Sequence, residues 1–265
     1  MADELLVDVH LNGVMVATLN RPDHGNSLSK ELLERLFEEI DRASADDAVR
    51  VLVLTGAGKA FCAGAVVESD RDPTQRRNQG RQDRMDRLGT GARLAQALAG
   101  CDKPIIASIN GTTAGAGFGM ALASDLRIMG ESARLGPIFV KRGLAPDNGV
   151  SYWLPRIIGL GRAFEVMYDG DLILSDRALA LGLVNRVVPD AELASSTMEL
   201  ASRIAAGPPL AYTATRRILH RSSQSALREQ LELEWTYQLE LLKTADAAEG
   251  FRSFVERRPP TFKGE

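Results

Sequence analysis

The sequence predicts an α/β protein in which a sheet covered on both faces is layered with helices and followed by a helical C-terminal region. Three observations carry this. Two short runs, "RVLVLTG" (50–56) and "KPIIASING" (103–111), are apolar at successive positions, the pattern of strands buried on both faces. Around them, charged stretches place apolar residues at helical spacing. After Ser175 the pattern is helical almost to the end, interrupted at "GLVNRVVP" (182–189) and at Gly207-Pro208-Pro209. A chain of 265 residues with 45% hydrophobic content has the material for a sizeable core.

In chain order, "LLVDVHLNGVMVATLN" alternates apolar and polar residues around Asn12-Gly13, a hairpin signal that predicts two opening strands. The turn "RPDHGNS" follows. Leu32, Leu33, Leu36, Phe37 and Ile40 fall at helical spacing between Ser29 and Ala43, with Ser29 as N-cap. Between the two buried strands lies the arginine-rich "ESDRDPTQRRNQGRQDRMDR" (68–87), expected to be a surface excursion. Its acids interleave with its arginines and it has no aromatic residue for base stacking, so it reads as a solvated face rather than a nucleic-acid patch. "NGTTAGAGFGMALASD" (110–125) is a tight turn leading into a helix from about Ala116 to Leu122. Residues 225–258 read as two helices, the second starting near Thr244.

Composition narrows the function. A net charge of −3, with acids and bases nearly balanced, gives no field that draws the chain to nucleic acid or an anionic membrane. The N-terminus has no basic and apolar leader pattern, and no run reaches the ~20 apolar residues of a bilayer span, so the cytoplasm is the expected compartment. Cys62 and Cys101 are far apart and read as buried small hydrophobes. His10, His24 and His220 are scattered, which gives no metal-ligand spacing, and no G-x-S-x-G elbow is present.

Residues 115–119, G-A-G-F-G, match neither a dinucleotide fingerprint nor a Walker loop. The first N–H groups of the helix they open suit a single oxygen anion; equally, the glycines can serve close packing. A second stretch, "LTGAGKAFCAGAVVES" (54–69), also leaves a buried strand and offers backbone amides near Ala65.

With these two loops the chain resembles the crotonase superfamily, the enoyl-CoA hydratase and isomerase family. The resemblance is carried in order by "LNRPDHGNSLS", "TGAGKAFCAGA", "KPIIASINGTTAGAGFGMALASDLRI", "GLAPDNGVSYWLPRIIG", "ALALGLVNRVVP" and "GFRSFVERRPPTF". It implies a spiral of ββα turns over residues 1–200, a helical trimerisation region over 201–265, and homotrimers often paired into hexamers. It implies a coenzyme A thioester as substrate, with no other cofactor. The oxyanion hole would be the N–H groups of Ala65 and Ala116; the Ala63 carbonyl would meet the adenine, the turn at His24 would lie along the CoA, and Arg257 would reach the phosphates.

The resemblance also bears on the reaction. Hydratases of the family use two glutamates, whose positions are Gly119 and Phe139 here; Glu131 lies outside both motifs. The acid that remains in a motif is Asp147, in "GLAPDNG". As turn chemistry it can cap a helix starting near Val150. In several relatives that move a double bond, the single acid occupies this post-proline turn, which favours Asp147 as acid and base. A hydratase using Asp147 or another acid is the alternative, and a binding relative for CoA esters or RNA is a third reading. Val66 stands where many relatives have aspartate, with Glu68 displaced along the chain. Phe118, Phe139, Tyr152 and Trp153 are candidates both for the acyl pocket and for the core.

Overall fold

The computed structural model describes residues 3–66 and 85–265. β1 (Leu5–Val9) and β2 (Val14–Leu19) form the expected antiparallel hairpin, pairing Leu5 with Leu19 and Val9 with Met15. α1 (Lys30–Ala45) begins where the Ser29 cap predicts, the Ser29 hydroxyl accepting from the Leu32 N–H at 3.0 Å. Leu32, Leu36 and Ile40 are buried on its inner face, with Leu33 and Phe37 packed partly against the same core.

The chain then repeats one pattern: a strand, a short strand, a helix. β3 (Val51–Gly56), β4 (Ala60–Cys62) and α2 (Gly89–Gly100) make one turn; β5 (Ile105–Ile109), β6 (Thr112–Ala114) and α3 (Ala116–Ala123) make the next. β7 (Leu126–Gly130), β8 (Arg134–Gly136) and α4 (Val150–Ile158) follow. α5 (Leu160–Asp169), β9 (Ile173–Leu174), α6 (Ser175–Ala180) and β10 (Arg186–Val188) come next. The first strands of the turns join a six-stranded sheet ordered β1-β2-β3-β5-β7-β10, and the second strands join a four-stranded sheet ordered β4-β6-β8-β9. Corresponding strands of successive turns are parallel neighbours, so the chain advances as the spiral of ββα turns that the resemblance implies.

α7 (Leu193–Ala205) covers the outer face of the large sheet. Ile105 faces the main core while Ile106 packs under α7, and Leu52 and Val53 divide in the same way. The alternation of a pleated strand therefore explains why these runs are apolar throughout: each face has its own hydrophobic cluster. The C-terminal helices are α8 (Pro209–Ser222), α9 (Leu227–Leu241) and α10 (Ala245–Glu256), the last capped by Thr244 as its sequence suggests. No helix among the described residues is long and apolar enough to cross a membrane. Both cysteines are buried thiols, and burial pushes the Cys62 thiol up to about 12, so it stays protonated.

α8 is tied to the spiral by a buried charge. Arg216 donates through Nε to Asp125 at 2.8 Å and through its terminal nitrogens to the carbonyls of Leu98 (2.6 Å), Ala99 (2.8 Å) and Cys101 at the end of α2. Asp125 also accepts from the Ile105 N–H at 2.8 Å and lies 3.2 Å from His220 Nε2. Burial alone would raise the Asp125 pKa, but His220 and Arg216 outweigh it and hold the carboxyl below its usual range. The stability this adds is present above the ordinary carboxylate pKa of about 4 and is lost as pH falls through the depressed value. Asp125→Asn should therefore flatten the acid limb of a stability profile measured by urea titration. Arg216→Met leaves a carboxylate and three carbonyls without their cation and should cost about 3–5 kcal/mol in the same measurement at neutral pH.

Candidate functional site

The parallel pairing of β4 with β6 makes the loops after them leave the sheet side by side. Their contact is close. A Cβ on Gly64 would lie 3.0 Å from the Ala114 carbonyl oxygen and 3.4 Å from the Ala116 nitrogen. A Cβ on Gly117 would lie 2.7 Å from Cys62 Cβ and 2.9 Å from its carbonyl carbon, so α3 can seat on β4 only with glycine there. Ala65 and the start of α3 are thereby brought together, and neither the Ala65 nor the Ala116 N–H donates to another group among the described residues. Ala65 is exposed and Ala116 is 6% exposed.

Every residue of α3 is buried, so the partial positive charge at its N-terminus is weakly screened. At its other end Arg127 donates to the carbonyls of Ser124 (2.5 Å) and Leu183 (2.7 Å), a cation where the helix dipole is negative. Burial pulls the Arg127 guanidinium down to about 10, which leaves it charged at neutral pH.

The turn at His24 reaches the same region. The Ala63 N–H donates to the Gly25 carbonyl at 2.8 Å, and His24 itself is exposed. Asn26, wholly buried, locks that turn: its amide donates to the carbonyls of Ala57 (2.9 Å) and Ala60 (2.7 Å), and its oxygen accepts from the Arg21 N–H at 2.8 Å. Sequence reasoning did not single out Asn26. Its one signal is an asparagine after glycine in a turn, and here it has the left-handed backbone (φ 55°) that asparagine tolerates.

Asp147 does not cap α4. The helix begins at Val150 after Gly149 with no side-chain cap, and Val150 donates to the backbone carbonyl of Asp147 at 3.0 Å. The exposed Asp147 carboxylate instead accepts a hydrogen bond from the Asn148 side-chain amide. The turn sits directly on α3, because a Cβ on Gly119 would lie 2.5 Å from the Asn148 carbonyl oxygen and 2.7 Å from Asn148 Cβ. Gly119 is one helical turn, about 4.5 Å along the axis, from Ala116. The other position at which an acid was sought, Phe139, packs in the main core.

The remaining candidates divide. Phe118 is fully buried and, like Phe139, belongs to the core. Trp153 meets Tyr152 and His220 edge-on, with ring centroids 4.6 and 5.3 Å away, and lines a cavity of about 580 Å³ with Leu122, Asp125 and Arg127. That cavity lies at the C-terminal end of α3, and Ala65, Ala116 and Asp147 do not line it. Arg257 ends α10 in the left-handed region (φ 53°), exposed, and its side chain makes no hydrogen bond or ion pair among the described residues. Val66 is exposed; Glu68 and the arginines from Arg71 to Arg84 lie outside the described residues, and Arg93 pairs with Asp86 at 2.8 Å. Among the described residues no three His, Cys, Asp or Glu side chains are grouped to hold a metal. Gly119→Ala should unseat the Asp147 turn, at a cost of about 1–3 kcal/mol for overpacking, and thermal or urea unfolding reads this directly.

Comparison with known proteins gives one result throughout. The family model described as enoyl-CoA hydratase/isomerase matches residues 10–265. The chain is 35% identical over 260 residues to the 1,2-epoxyphenylacetyl-CoA isomerase of Escherichia coli, covering 96% of each. It is 34% identical over 253 residues to the 2,3-dehydroadipyl-CoA hydratase of the same organism, covering 95% of each. The crystal structure of an enoyl-CoA hydratase from Bacillus anthracis superposes with a TM-score of 0.89 at 35% identity, covering 99% of this chain and all of that one.

Proposed function

The chain belongs to the enoyl-CoA hydratase/isomerase family, an enzyme of the crotonase fold, and on that premise we propose that it moves a double bond along an acyl-CoA thioester with Asp147 as its single acid–base group. The observation that carries this reading is the seat of the Asp147 turn on Gly119, one helical turn from the Ala116 N–H. The backbone and Cβ of Asn148 fill the space that a side chain at Gly119 would need. In this reading one carboxylate, Asp147, on the turn that rests on Gly119, does the work for which the family's hydratases use two glutamates.

In the proposed step the thioester oxygen of a 3-enoyl-CoA accepts from the Ala65 and Ala116 N–H groups. Asp147 takes a proton from C2; the C–H electrons form a dienolate whose negative charge rests on that oxygen. The carboxylic acid then returns the proton at C4, leaving the double bond between C2 and C3 and the Asp147 carboxylate regenerated. Each amide donor is typically worth about 2.7–4 kcal/mol at such an oxyanion, and the acid–base group about 10²- to 10⁴-fold in rate. The Ala63 carbonyl and the His24 turn, held together by the bond from Ala63 to Gly25, would border the CoA, and Arg257 would serve its phosphates. Exposure of Asp147 favours a second reading, in which the carboxylate activates a water for hydration.

Chromatographic and ultraviolet analysis of protein given 3-hexenoyl-CoA, beside mass analysis of protein given 2-hexenoyl-CoA, separates the two. The expected product is the isobaric 2-enoyl-CoA, its formation slowed about 10²- to 10⁴-fold by Asp147→Asn. A product heavier by one water from 2-hexenoyl-CoA, with 3-hexenoyl-CoA returned unchanged, would support the hydratase instead.

We also propose that the C-terminal helices assemble the protein into homotrimers, alone or paired. α9 buries no residue of its own, and Leu227, Leu231, Trp235, Phe251 and Phe254 on α9 and α10 are exposed apolar side chains. Sedimentation should give a trimer or hexamer, and Trp235→Asp with Phe254→Asp should shift it toward the monomer; a monomeric unaltered protein would refute this arrangement.

A further inference from the structure

The space around Asn148 is more closely specified than a turn requires. Its backbone is left-handed, with φ 51°, and its carbonyl oxygen and Cβ lie 2.5 and 2.7 Å from where a Cβ on Gly119 would stand. Its side chain lies against a second glycine, Gly91 in α2. The three atoms nearest a Cβ on Gly91 would all belong to Asn148: Cγ at 2.7 Å, Nδ2 at 3.1 Å and, closest of all, Oδ1. The same side-chain amide donates to the Asp147 carboxylate. Two helices thus each lack a side chain where Asn148 fits, and the residue they hold grips the neighbouring acid.

We propose that Asn148 is a positioning residue for Asp147: α2 and α3 clamp it through Gly91 and Gly119, and its amide fixes which way the carboxylate points. Gly91 then has a role through Asn148, although it lies 57 positions earlier in the chain and belongs to none of the motifs that carry the family resemblance. Glutamine cannot substitute, since its added methylene has no space between the glycines. The proposal rests on the reading of Asp147 as the acid–base group, and Asp147→Asn tests that reading separately.

The decisive experiment is a double-mutant cycle on 3-hexenoyl-CoA isomerisation using Asn148→Gly and Gly91→Ala, with Asp147→Asn alongside and thermal melts to verify folding. Glycine keeps the left-handed turn while removing the side chain. Alanine at 91 is the better helix former, so lost activity there cannot come from a weaker α2. Each single variant should lower kcat by about 10- to 100-fold through misplacement of the carboxylate, with KM within about twofold. The double variant should be no slower than Asn148→Gly, because the methyl added at position 91 then meets an empty space. Unchanged kcat in Asn148→Gly beside an inactive Asp147→Asn would overturn the positioning role and leave the proposed function standing. Losses that multiply in the double variant would also overturn it, since the clamp requires the two sites to act through one side chain. Activity retained by Asp147→Asn, or no turnover by the unaltered protein, would remove both readings together.

Discussion

The site depends on one contact, the seating of α3 on β4 at Gly117 and Cys62. Parallel stacking of the ββα turns brings the two loops to one edge, but only a residue without a Cβ lets the helix descend far enough to place its first N–H beside Ala65. Cys62 suits the other half of that contact. It is small, fully buried and kept neutral by burial, so it fills the junction without placing charge under the helix. The cation at Arg127 and the network of Arg216 and Asp125 fix the opposite end of the same helix.

A second constraint acts at Gly119. A turn that rests the Asn148 backbone on Gly119 cannot coexist with a side chain there, so a glutamate at 119 and this placement of the Asp147 turn exclude each other sterically. The glycine at 119 and the turn that carries Asp147 are then one structural feature. A single carboxylate can move a proton between two carbons of one substrate; adding water across a double bond ordinarily requires a second group to assist.

Much of the spiral was legible in the sequence because its signals are local. Asn12-Gly13 marks the hairpin, Ser29 the start of α1, Thr244 the start of α10, and the runs at 51–56 and 105–109 the strands with a core on each face. The three-residue strands β4, β6 and β8 were not visible as strands, since their order comes from stacking on one another rather than from periodicity. The loops carrying Ala65 and Ala116 were found through motifs, while their convergence is a matter of topology. The clamp on Asn148 was hidden for the same reason: it joins residues 91, 119 and 148, and glycines in helices look like weak helix formers until something is seen resting on them. The Asp147 turn was readable as chemistry and as a cap, and only the geometry of Val150 and Gly149 removes the cap.

The most direct test of this account is a crystal structure with a non-isomerisable acyl-CoA thioester bound. The account predicts the thioester oxygen about 2.7–3.1 Å from both the Ala65 and Ala116 nitrogens, with the Asp147 carboxylate over C2 to C4 and Asn148 still between Gly91 and Gly119. A thioester seated with its oxygen away from those two amides, or an Asp147 carboxylate directed away from the acyl chain, would contradict it.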